Sequence, residues 1–377
     1  MQVSNVEMMQ VAIRVDASSQ IGAGHVMRCL TLAQAFRNKG VEVIFICREH
    51  PGNLCDYIES EGFKLYRLPM HGLVKSAQSV FNNDKKPPNA SWLGISWQKD
   101  AKETIDILVQ QRVDYLVVDH FGIDASWEQR VKEIASVKIT VVDGQLDRSH
   151  DCEFLLDPNL SERTPQCWKS LVPSYCQLFL GPQFTFLRPE YLKERSRLRT
   201  RDGKVKRILI AFGGVDKANA TGMALEAVKK AEHFNLAIDV VAGPGNPHKS
   251  DLERICQFLS NANFHFQPSS LAKLMAAADL SIGASGTMAW ERCYLGLPAI
   301  IMSIADNQNN ICEILEKKGA AIYLGKQGKV RIRSIVDAIN FALNNPELLR
   351  KMSRQSLEIM GALKISGPDV FCEAILQ

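Results

Sequence analysis

The sequence lacks the features that mark membrane, metal-binding and disulfide-stabilised proteins. No apolar run is long enough to span a bilayer, and the first residues lack the basic and apolar regions of a signal peptide. The ten cysteines form no C-x-x-C pair, and the eight histidines show no H-x-x-x-H spacing. We therefore expect the cysteines to be small core residues of a reduced, cytoplasmic protein that binds no metal ion.

Net charge is low, and short nucleotide-binding motifs are missing. A formal charge of +4 over 377 residues, with no basic tract that contains interleaved aromatics, argues against a nucleic-acid partner. No GxxxxGK[ST] occurs, and Met27 stands where the dinucleotide fingerprint needs a third small residue. The hydrophobic fraction of 46% and the charged fraction of 23% are those of an ordinary globular protein.

The length suits two domains, and both halves of the chain alternate strands with helices. Strands are predicted at residues 11–15, 41–47, 64–68, 115–118, 137–142, 154–156, 207–211, 237–241, 263–266, 280–282, 299–302 and 321–324. This alternation predicts an α/β protein with two Rossmann-like domains, each built on a parallel sheet. We expect domains at residues 1–190 and 207–377, a solvated, charged linker at 191–206, and sheets that face a central cleft.

One junction in the first half carries the strongest signal for chemistry. The segment IRVDASSQIGAGHVMRCLTL runs from a buried strand through a glycine-bearing turn into a helix, with His25 at the start of the helix. Gly22 and Gly24 let a ligand approach the main chain, and the helix start offers unpaired N–H groups. Since a histidine exchanges protons near neutral pH, His25 is the predicted reactive group. On this segment alone, a histidine that only caps the helix fits equally well.

Other polar residues follow strands of the first half. Because α/β enzymes place their chemistry at the carboxyl ends of strands, we expect Asp16, Asp119, His120 and Asn159 to contact a ligand. Taken singly, each is as readily a loop cap. Arg28, one turn beyond the predicted reactive histidine, is expected to orient a substrate or to pair with a phosphate.

Two junctions in the second half predict an anion site. In ILIAFGGVDKANAT, Gly213 and Gly214 follow a strand, and Asp216 is available to start a helix. In DLSIGASGTMAWERCYLGLP, a turn of small residues at 283–286 precedes a helix for which Ser285 or Thr287 is the expected N-cap. The amides at such a helix start suit a diphosphate.

Further polar groups near this second junction suit a sugar. The carboxylate of Glu291 would repel phosphates, but it can accept hydrogen bonds from the two vicinal hydroxyls of a ribose. An ordinary surface glutamate is the alternative. Asn307 and Gln308 follow a later strand and are expected to bind sugar hydroxyls or phosphate oxygens, although polar loop residues are common at such positions.

Seven segments, in order along nearly the whole chain, resemble one enzyme family. They are VDASSQIGAGHVMRCLTLA, WLGISWQKDAKET, LVVDHFGIDASWE, HDCEFLLDPN, LGPQFTFLRPEY, ILIAFGGVDKANAT and GASGTMAWERCYLGLP. They resemble the UDP-sugar hydrolases of pseudaminic acid biosynthesis, a pathway of flagellin and surface glycans. These enzymes release UDP from UDP-2,4-diacetamido-2,4,6-trideoxy-β-L-altropyranose. The G-x-G-H-x-x-R element is the most specific part of the resemblance.

The resemblance implies a glycosyltransferase-B-like fold with UDP in the second domain, Glu291 on the ribose and the 283–287 turn at the diphosphate. It also implies that His25 is the catalytic base and that neither a metal nor another cofactor is used. The residues expected to bind the UDP-sugar are Asp16, Gly22, Gly24, Arg28, Asp119, His120, Asn159, Arg188, Gly213, Gly214, Ser285, Gly286, Thr287, Glu291, Asn307 and Gln308. The chain departs from the family pattern at Gly144, where a second acidic residue is usual, and at Phe184, where tyrosine is common.

These residues predict a simple hydrolysis. UDP leaves as a stable anion, so one base that activates water suffices where ordinary glycosidases need two carboxylates. We predict that His25 activates water for attack on the sugar C1 with inversion. Two alternatives stay open: a glycosyltransferase that uses a sugar acceptor in place of water, and a non-catalytic sensor that binds a nucleotide sugar intact.

Overall fold

The chain forms two α/β units. A computed structural model describes residues 9–70, 87–160, 164–231, 236–361 and 367–376. One unit comprises Met1–Phe186 with Ile365–Gln377, and the other comprises Leu187–Lys364. Each unit is built on one parallel sheet whose successive strands are joined mainly through helices, as the alternating pattern predicts.

The described part of the chain contains the following strands and helices. The strands are β1 (Gln10–Val15), β2 (Glu42–Arg48), β3 (Lys64–Leu68), β4 (Tyr115–Asp119), β5 (Lys138–Val142), β6 (Phe154–Asp157), β7 (Gln177–Leu180), β8 (Arg207–Ala211), β9 (Ala237–Ala242), β10 (Ala262–Phe266), β11 (Leu280–Ala284), β12 (Ala299–Ser303) and β13 (Ala321–Lys326). The helices are α1 (Gly24–Asn38), α2 (Cys55–Ser60), α3 (Trp97–Gln111), α4 (Ala125–Ala135), α5 (Thr164–Lys169), α6 (Pro189–Ser196), α7 (Ala220–Lys230), α8 (Lys249–Gln257), α9 (Leu271–Ala277), α10 (Met288–Tyr294), α11 (Asn309–Lys317), α12 (Ile332–Leu343), α13 (Pro346–Met360) and α14 (Gly367–Leu376).

The two sheets share a strand order that fixes where each unit can bind a ligand. The first sheet runs β3-β2-β1-β4-β5-β6-β7 and the second runs β10-β9-β8-β11-β12-β13. In both, the order reverses beside the first strand of the unit, between β1 and β4 and between β8 and β11. In open α/β sheets, ligands bind outside the carboxyl ends of the strands at this switch point. Each unit therefore has one favoured place for a site.

The predicted strands are confirmed. Each of the twelve occurs, with its ends moved by at most two residues. Every residue of the central strands β1, β4 and β11 is buried, as expected of strands covered on both faces. β7 was not predicted, because it is an edge strand of four residues without a strong apolar alternation. Eight of the ten cysteines are buried, as expected, and all ten are free thiols.

The domain boundaries differ from those expected at the end of the chain. Residues 207–377 were expected to form one domain, but α14 packs in the first unit. Phe371 and Ile375 of α14 are buried in the core of that unit, and the Phe371 ring lies 5.4 Å from the ring of Phe179. Phe184, one of the two departures from the family pattern, packs edge-on against Phe179 in the same aromatic group. An amphipathic helix shows in sequence which face is apolar, but not which core covers that face.

The charged segment 191–206 is also not a solvated linker, because its arginines form hydrogen bonds within the second unit. Arg195 donates to the carbonyl of Tyr294, and Arg199 donates to the carbonyls of Ala277 and Ala278. The last carbonyls of a helix have no partner within the helix, and guanidinium groups satisfy them well. Arginines of this segment therefore dock on helix ends, where a solvated linker was expected.

Candidate functional site

The site of the first unit lies at its switch point, where α1 begins beside the end of β4. Asp119 is the last residue of β4 and is completely buried. Its carboxylate accepts a hydrogen bond of 2.6 Å from Nδ1 of His25, and it also accepts two hydrogen bonds from Arg28. Burial opposes the charge on Asp119, but the Arg28 guanidinium and the His25 ring hold the pKa of this carboxyl well below its usual range. Asp119 is therefore a carboxylate at neutral pH.

This pairing fixes the proton on the imidazole. A carboxylate only accepts, so Nδ1 of His25 carries the hydrogen, and Nε2 of the neutral ring keeps its lone pair. His25 does not cap α1, because the N-cap is Ala23 and no side chain bonds to the first amides. A histidine oriented by a buried carboxylate through one nitrogen is the arrangement that general bases use to accept a proton at the other.

Two aromatic rings pack around the imidazole. The Phe121 ring meets the His25 ring edge-on at 4.6 Å, and the Trp92 ring does so at 6.3 Å. Trp92 and Phe121 stack on each other at 5.9 Å. The His25 side chain remains 10% exposed. The rings thus hold the imidazole in place and leave it a small solvent-accessible edge.

Asp16 belongs to a buried ionic network beside this pair. Its carboxylate accepts hydrogen bonds from both terminal nitrogens of Arg14, at 2.6 and 2.9 Å, and from the amide of Arg48 at 2.7 Å. His120 is also buried, with Nε2 3.3 Å from the carboxylate of Asp16. The structure therefore brings Asp16 and His120 to the same end of the sheet as His25, but their polar atoms face the interior.

The remaining predicted residues of the first unit are Asn159, Gly22 and Gly24. Asn159 follows β6, two strands away from β4 in the sheet, and its Nδ2 donates to the carbonyl of Gly144 at 3.1 Å. A Cβ on Gly144 would lie 1.9 Å from that same Nδ2. The departure at Gly144 therefore makes room for the Asn159 side chain. Gly22 has a φ of +83° and bonds back to the carbonyl of Ser18 at 2.8 Å, while Gly24 is the first residue of α1.

The second unit gathers three loops at the switch point between β8 and β11. Gly213 follows β8 and has a φ of +93°. A Cβ on Gly213 would lie 3.9 Å from the methyl group of Met288 at the start of α10. A Cβ on Gly286 would lie 3.6 Å from Nε2 of Gln308. Gly214 packs closely on Gly243, because a Cβ on Gly243 would lie only 2.4 Å from the Cα of Gly214. The predicted glycine and glutamine positions therefore meet at this end of the second sheet, with Asn307 in the same short 3-10 helix as Gln308.

Two expectations about helix capping have different outcomes. Asp216 accepts hydrogen bonds from the first two amides of α7, those of Ala220 and Thr221, although the N-cap residue is Asn219, which accepts from the amide of Gly222. Thr287 occupies the N-cap position of α10, but no side chain caps that helix, and Ser285 is completely buried. The reason is that the backbone at Thr287 is already helical, so its hydroxyl does not reach the amides beyond it.

Glu291 lies on α10 and faces α6. Its carboxylate is near the hydroxyl of Tyr191 and the guanidinium of Arg188. Burial raises the pKa of Glu291, and the nearby Arg188 partly offsets this shift. Arg188 also pairs with Glu190 at 3.0 Å, and its side chain is one-third exposed. The structure thus brings Arg188 and Glu291 together, although they are about a hundred residues apart in sequence.

The described residues lack two other kinds of feature. Among the described residues, no group of three or more histidine, cysteine, aspartate or glutamate side chains is arranged to hold a metal ion. Over the same ranges, none of the helices combines the length and the apolar character that a membrane span requires.

The sequence is similar to known proteins that act on nucleotide sugars or transfer sugars. Residues 208–365 match the glycosyltransferase family 28 C-terminal domain. Over 320 residues the chain is 25% identical to the UDP-2,4-diacetamido-2,4,6-trideoxy-beta-L-altropyranose hydrolase of Campylobacter jejuni, in an alignment that covers 85% of this chain and 97% of that protein. The resemblance drawn from the seven sequence segments is thereby confirmed.

Solved structures support the fold. MurG of Acinetobacter baumannii aligns with a TM-score of 0.64 and 15% identity over 98% of this chain and 99% of its own. UGT89C1 of Arabidopsis thaliana, in complex with UDP, aligns with a TM-score of 0.66 and 14% identity over 98% of both chains. The fold is therefore the expected glycosyltransferase-B-like pair of parallel-sheet domains.

Proposed function

We propose that this chain is a hydrolase that releases UDP from a UDP-sugar, and that its substrate is UDP-2,4-diacetamido-2,4,6-trideoxy-β-L-altropyranose. The observation that carries the proposal is the His25–Asp119 pair, because the buried carboxylate orients the imidazole through Nδ1 and leaves Nε2 as the nitrogen that can accept a proton. The similarity to the Campylobacter hydrolase over 85% of the chain supports the choice of substrate. The reaction would belong to pseudaminic acid biosynthesis.

In this reaction His25 acts as the general base. Nε2 takes a proton from water as the water oxygen attacks C1 of the sugar, and the bond from C1 to the UDP oxygen breaks with inversion. Asp119 holds the ring in the required tautomer and stabilises the imidazolium that forms. A positioned base of this kind contributes roughly 10²–10⁴-fold in rate.

The second unit holds the nucleotide in this proposal. Glu291 accepts hydrogen bonds from the ribose hydroxyls, and the 283–287 turn binds the diphosphate, with Gly213 and Gln308 beside it. UDP departs as a stable anion, so the leaving group requires no proton from a carboxylic acid and the proposal assigns no step to a metal ion. Asp16, His120 and Asn159 are assigned to shaping the sugar-binding side of the first unit.

The proposal is tested by hydrolysis in ¹⁸O-labelled water with mass spectrometry of both products. We expect UDP release without any added acceptor, with the label in the sugar. Label in UDP would show attack at phosphorus and reject the mechanism. A His25→Asn variant that folds and keeps more than about a tenth of the activity would reject His25 as the base.

A glycosyltransferase is the second candidate function. It is favoured by the match of residues 208–365 to a glycosyltransferase domain and by the aligned structures. A transferase would release UDP only when a sugar acceptor is added, so the same assay with and without candidate acceptors separates the two. An intact nucleotide sugar after prolonged incubation would instead indicate a sensor.

A further inference from the structure

The second unit contains two arginines that are buried without an acidic partner. Arg201 is 5% exposed and Arg292 is 2% exposed. Among the described residues no carboxylate lies within ion-pair distance of either, and the nearby Asp279 pairs with Arg199. An isolated charge in a protein interior is costly, so each guanidinium requires an explanation.

Arg201 is explained by the fold. Its Nε donates to the carbonyl of Ala278, and its terminal nitrogens donate to the carbonyls of Met275, Leu295 and Gly296. These carbonyls lie at the ends of α9 and α10, where helices leave acceptors unpaired. Every nitrogen of this guanidinium therefore has a partner, and its role is to join two helix ends.

Arg292 is not explained in this way. Its Nη2 donates to the carbonyl of Ala284 at 2.6 Å and lies 3.5 Å from the hydroxyl of Ser285. Its Nη1 has no hydrogen-bond partner, and it lies 3.2 Å from the position that a Cβ on Gly283 would take. The guanidinium thus packs against the 283–285 segment with part of its hydrogen-bonding capacity unused.

The energetic consequence points to an anion that arrives with the ligand. A buried guanidinium that has no acidic partner and an unused donor is not fully compensated for its lost hydration, so the free protein gains little from it. A diphosphate bound at the 283–287 turn would supply the missing negative charge at close range. In a low-dielectric interior such an interaction is strong.

We propose that Arg292 is a positioning residue for the diphosphate. Its guanidinium holds the 283–285 segment and supplies the positive charge that makes nucleotide affinity depend on the number of phosphates. This inference rests on the proposed function, in which UDP binds at the 283–287 turn. It assigns a role to a residue that sequence reasoning did not select, because Arg292 precedes Cys293 in an apolar helix and belongs to no recognised anion-binding pattern.

The test compares the affinities of UDP, UMP and uridine by isothermal titration calorimetry. For Arg292→Met we expect about 10- to 100-fold weaker UDP binding, a smaller loss for UMP, and uridine affinity within about twofold of the unsubstituted protein. Arg201→Met is the matched control. We expect it to lower the melting temperature while the folded protein binds UDP within about twofold of normal.

Two further variants keep the test decisive if Arg292→Met does not fold. Arg292→Lys retains the charge and Arg292→Gln retains only hydrogen bonding, so we expect the lysine variant to keep more of the preference for UDP over uridine. Equal losses for UDP and uridine, or unchanged UDP binding in Arg292→Met or Arg292→Gln, would overturn the inference and leave the proposed function intact. Failure of the unsubstituted protein to bind UDP would overturn both.

Discussion

Replacing Asp119 with asparagine is expected to abolish most of the activity through its effect on His25. The carboxylate of Asp119 accepts the Nδ1 hydrogen at 2.6 Å from a completely buried position, so solvent cannot take its place. An asparagine amide can present its NH₂ group to Nδ1, which moves the ring hydrogen to Nε2 and removes the lone pair that accepts the proton. A wrong tautomer of this kind costs roughly 10²–10⁴-fold in kcat.

The same substitution will also reduce stability, because it leaves Arg28 without its carboxylate. Breaking a fully buried ion pair costs about 3–5 kcal/mol, and the cost is lower here because the Arg28 side chain is 16% exposed. Activity should therefore be measured below the melting temperature of the variant, with circular dichroism to confirm folding. UDP release in a coupled assay gives kcat and KM separately.

A double-mutant cycle with His25→Ala tests whether Asp119 acts through the imidazole. If it does, Asp119→Asn lowers kcat little further once His25 is absent. Added imidazole should then restore the activity of His25→Ala and of the double variant to a similar extent. Multiplicative losses in the double variant would refute the reasoning, as would an Asp119→Asn enzyme within threefold of normal kcat.

Three other substitutions make independent predictions. Burial opposes the charge on His150, but Glu128 and Asp143 raise its pKa from 6.5 to about 9, so this charge stabilises the fold below pH 6.5. We expect the free energy of unfolding to lose on the order of 3 kcal/mol between pH 6.5 and 9, and His150→Gln to flatten that loss. Gly144→Ala should destabilise the fold by about 1–3 kcal/mol, because its Cβ meets Asn159 at 1.9 Å. Glu291→Gln should weaken UDP about tenfold and leave 2′,3′-dideoxy-UDP unchanged.

Each of these predictions has an outcome that contradicts it. The free energy of unfolding can be measured in urea at each pH. If it declines as steeply with rising pH in His150→Gln as in the unsubstituted protein, the charged His150 is excluded as the cause. For Gly144, the cost should fall in an Asn159→Ala background, where the contact of the new Cβ with Oδ1 of Asp157 at 2.7 Å remains, and an undiminished cost would exclude Asn159 as its cause. Equal weakening of UDP and its dideoxy analogue by Glu291→Gln would argue against contact with the ribose.

Much of the architecture was accessible from the sequence because its signals are local. The central strands are short segments dominated by apolar residues, and the turn before His25 contains the small residues that a strand-to-helix junction needs. The parallel sheets follow from the alternation of strands and helices. The edge strand β7 was not predicted because its one exposed and three half-buried residues carry too little pattern.

The partners of the site residues were much less accessible. Asp119 was selected as a ligand contact, but in the structure it orients His25 from 94 residues away. Trp92 and Phe121 lie around the imidazole without any periodic pattern that marks them. Asp16 was expected to face a ligand, but it is saturated by Arg14 and the Arg48 amide. The carboxyl end of a strand indicates where polar groups gather, and only packing decides which of them turn inward.

The linear chain therefore determined the elements of this protein, its two-sheet class and the candidate residues for chemistry, because periodicity and turn composition act over a few neighbouring positions. Tertiary structure alone decided which unit receives α14, that the arginines of 191–206 dock on helix ends, and that Arg292 is left with an unused donor. These outcomes depend on contacts between residues far apart in sequence. Burial and charge compensation there are properties of the assembled core, which no local pattern encodes.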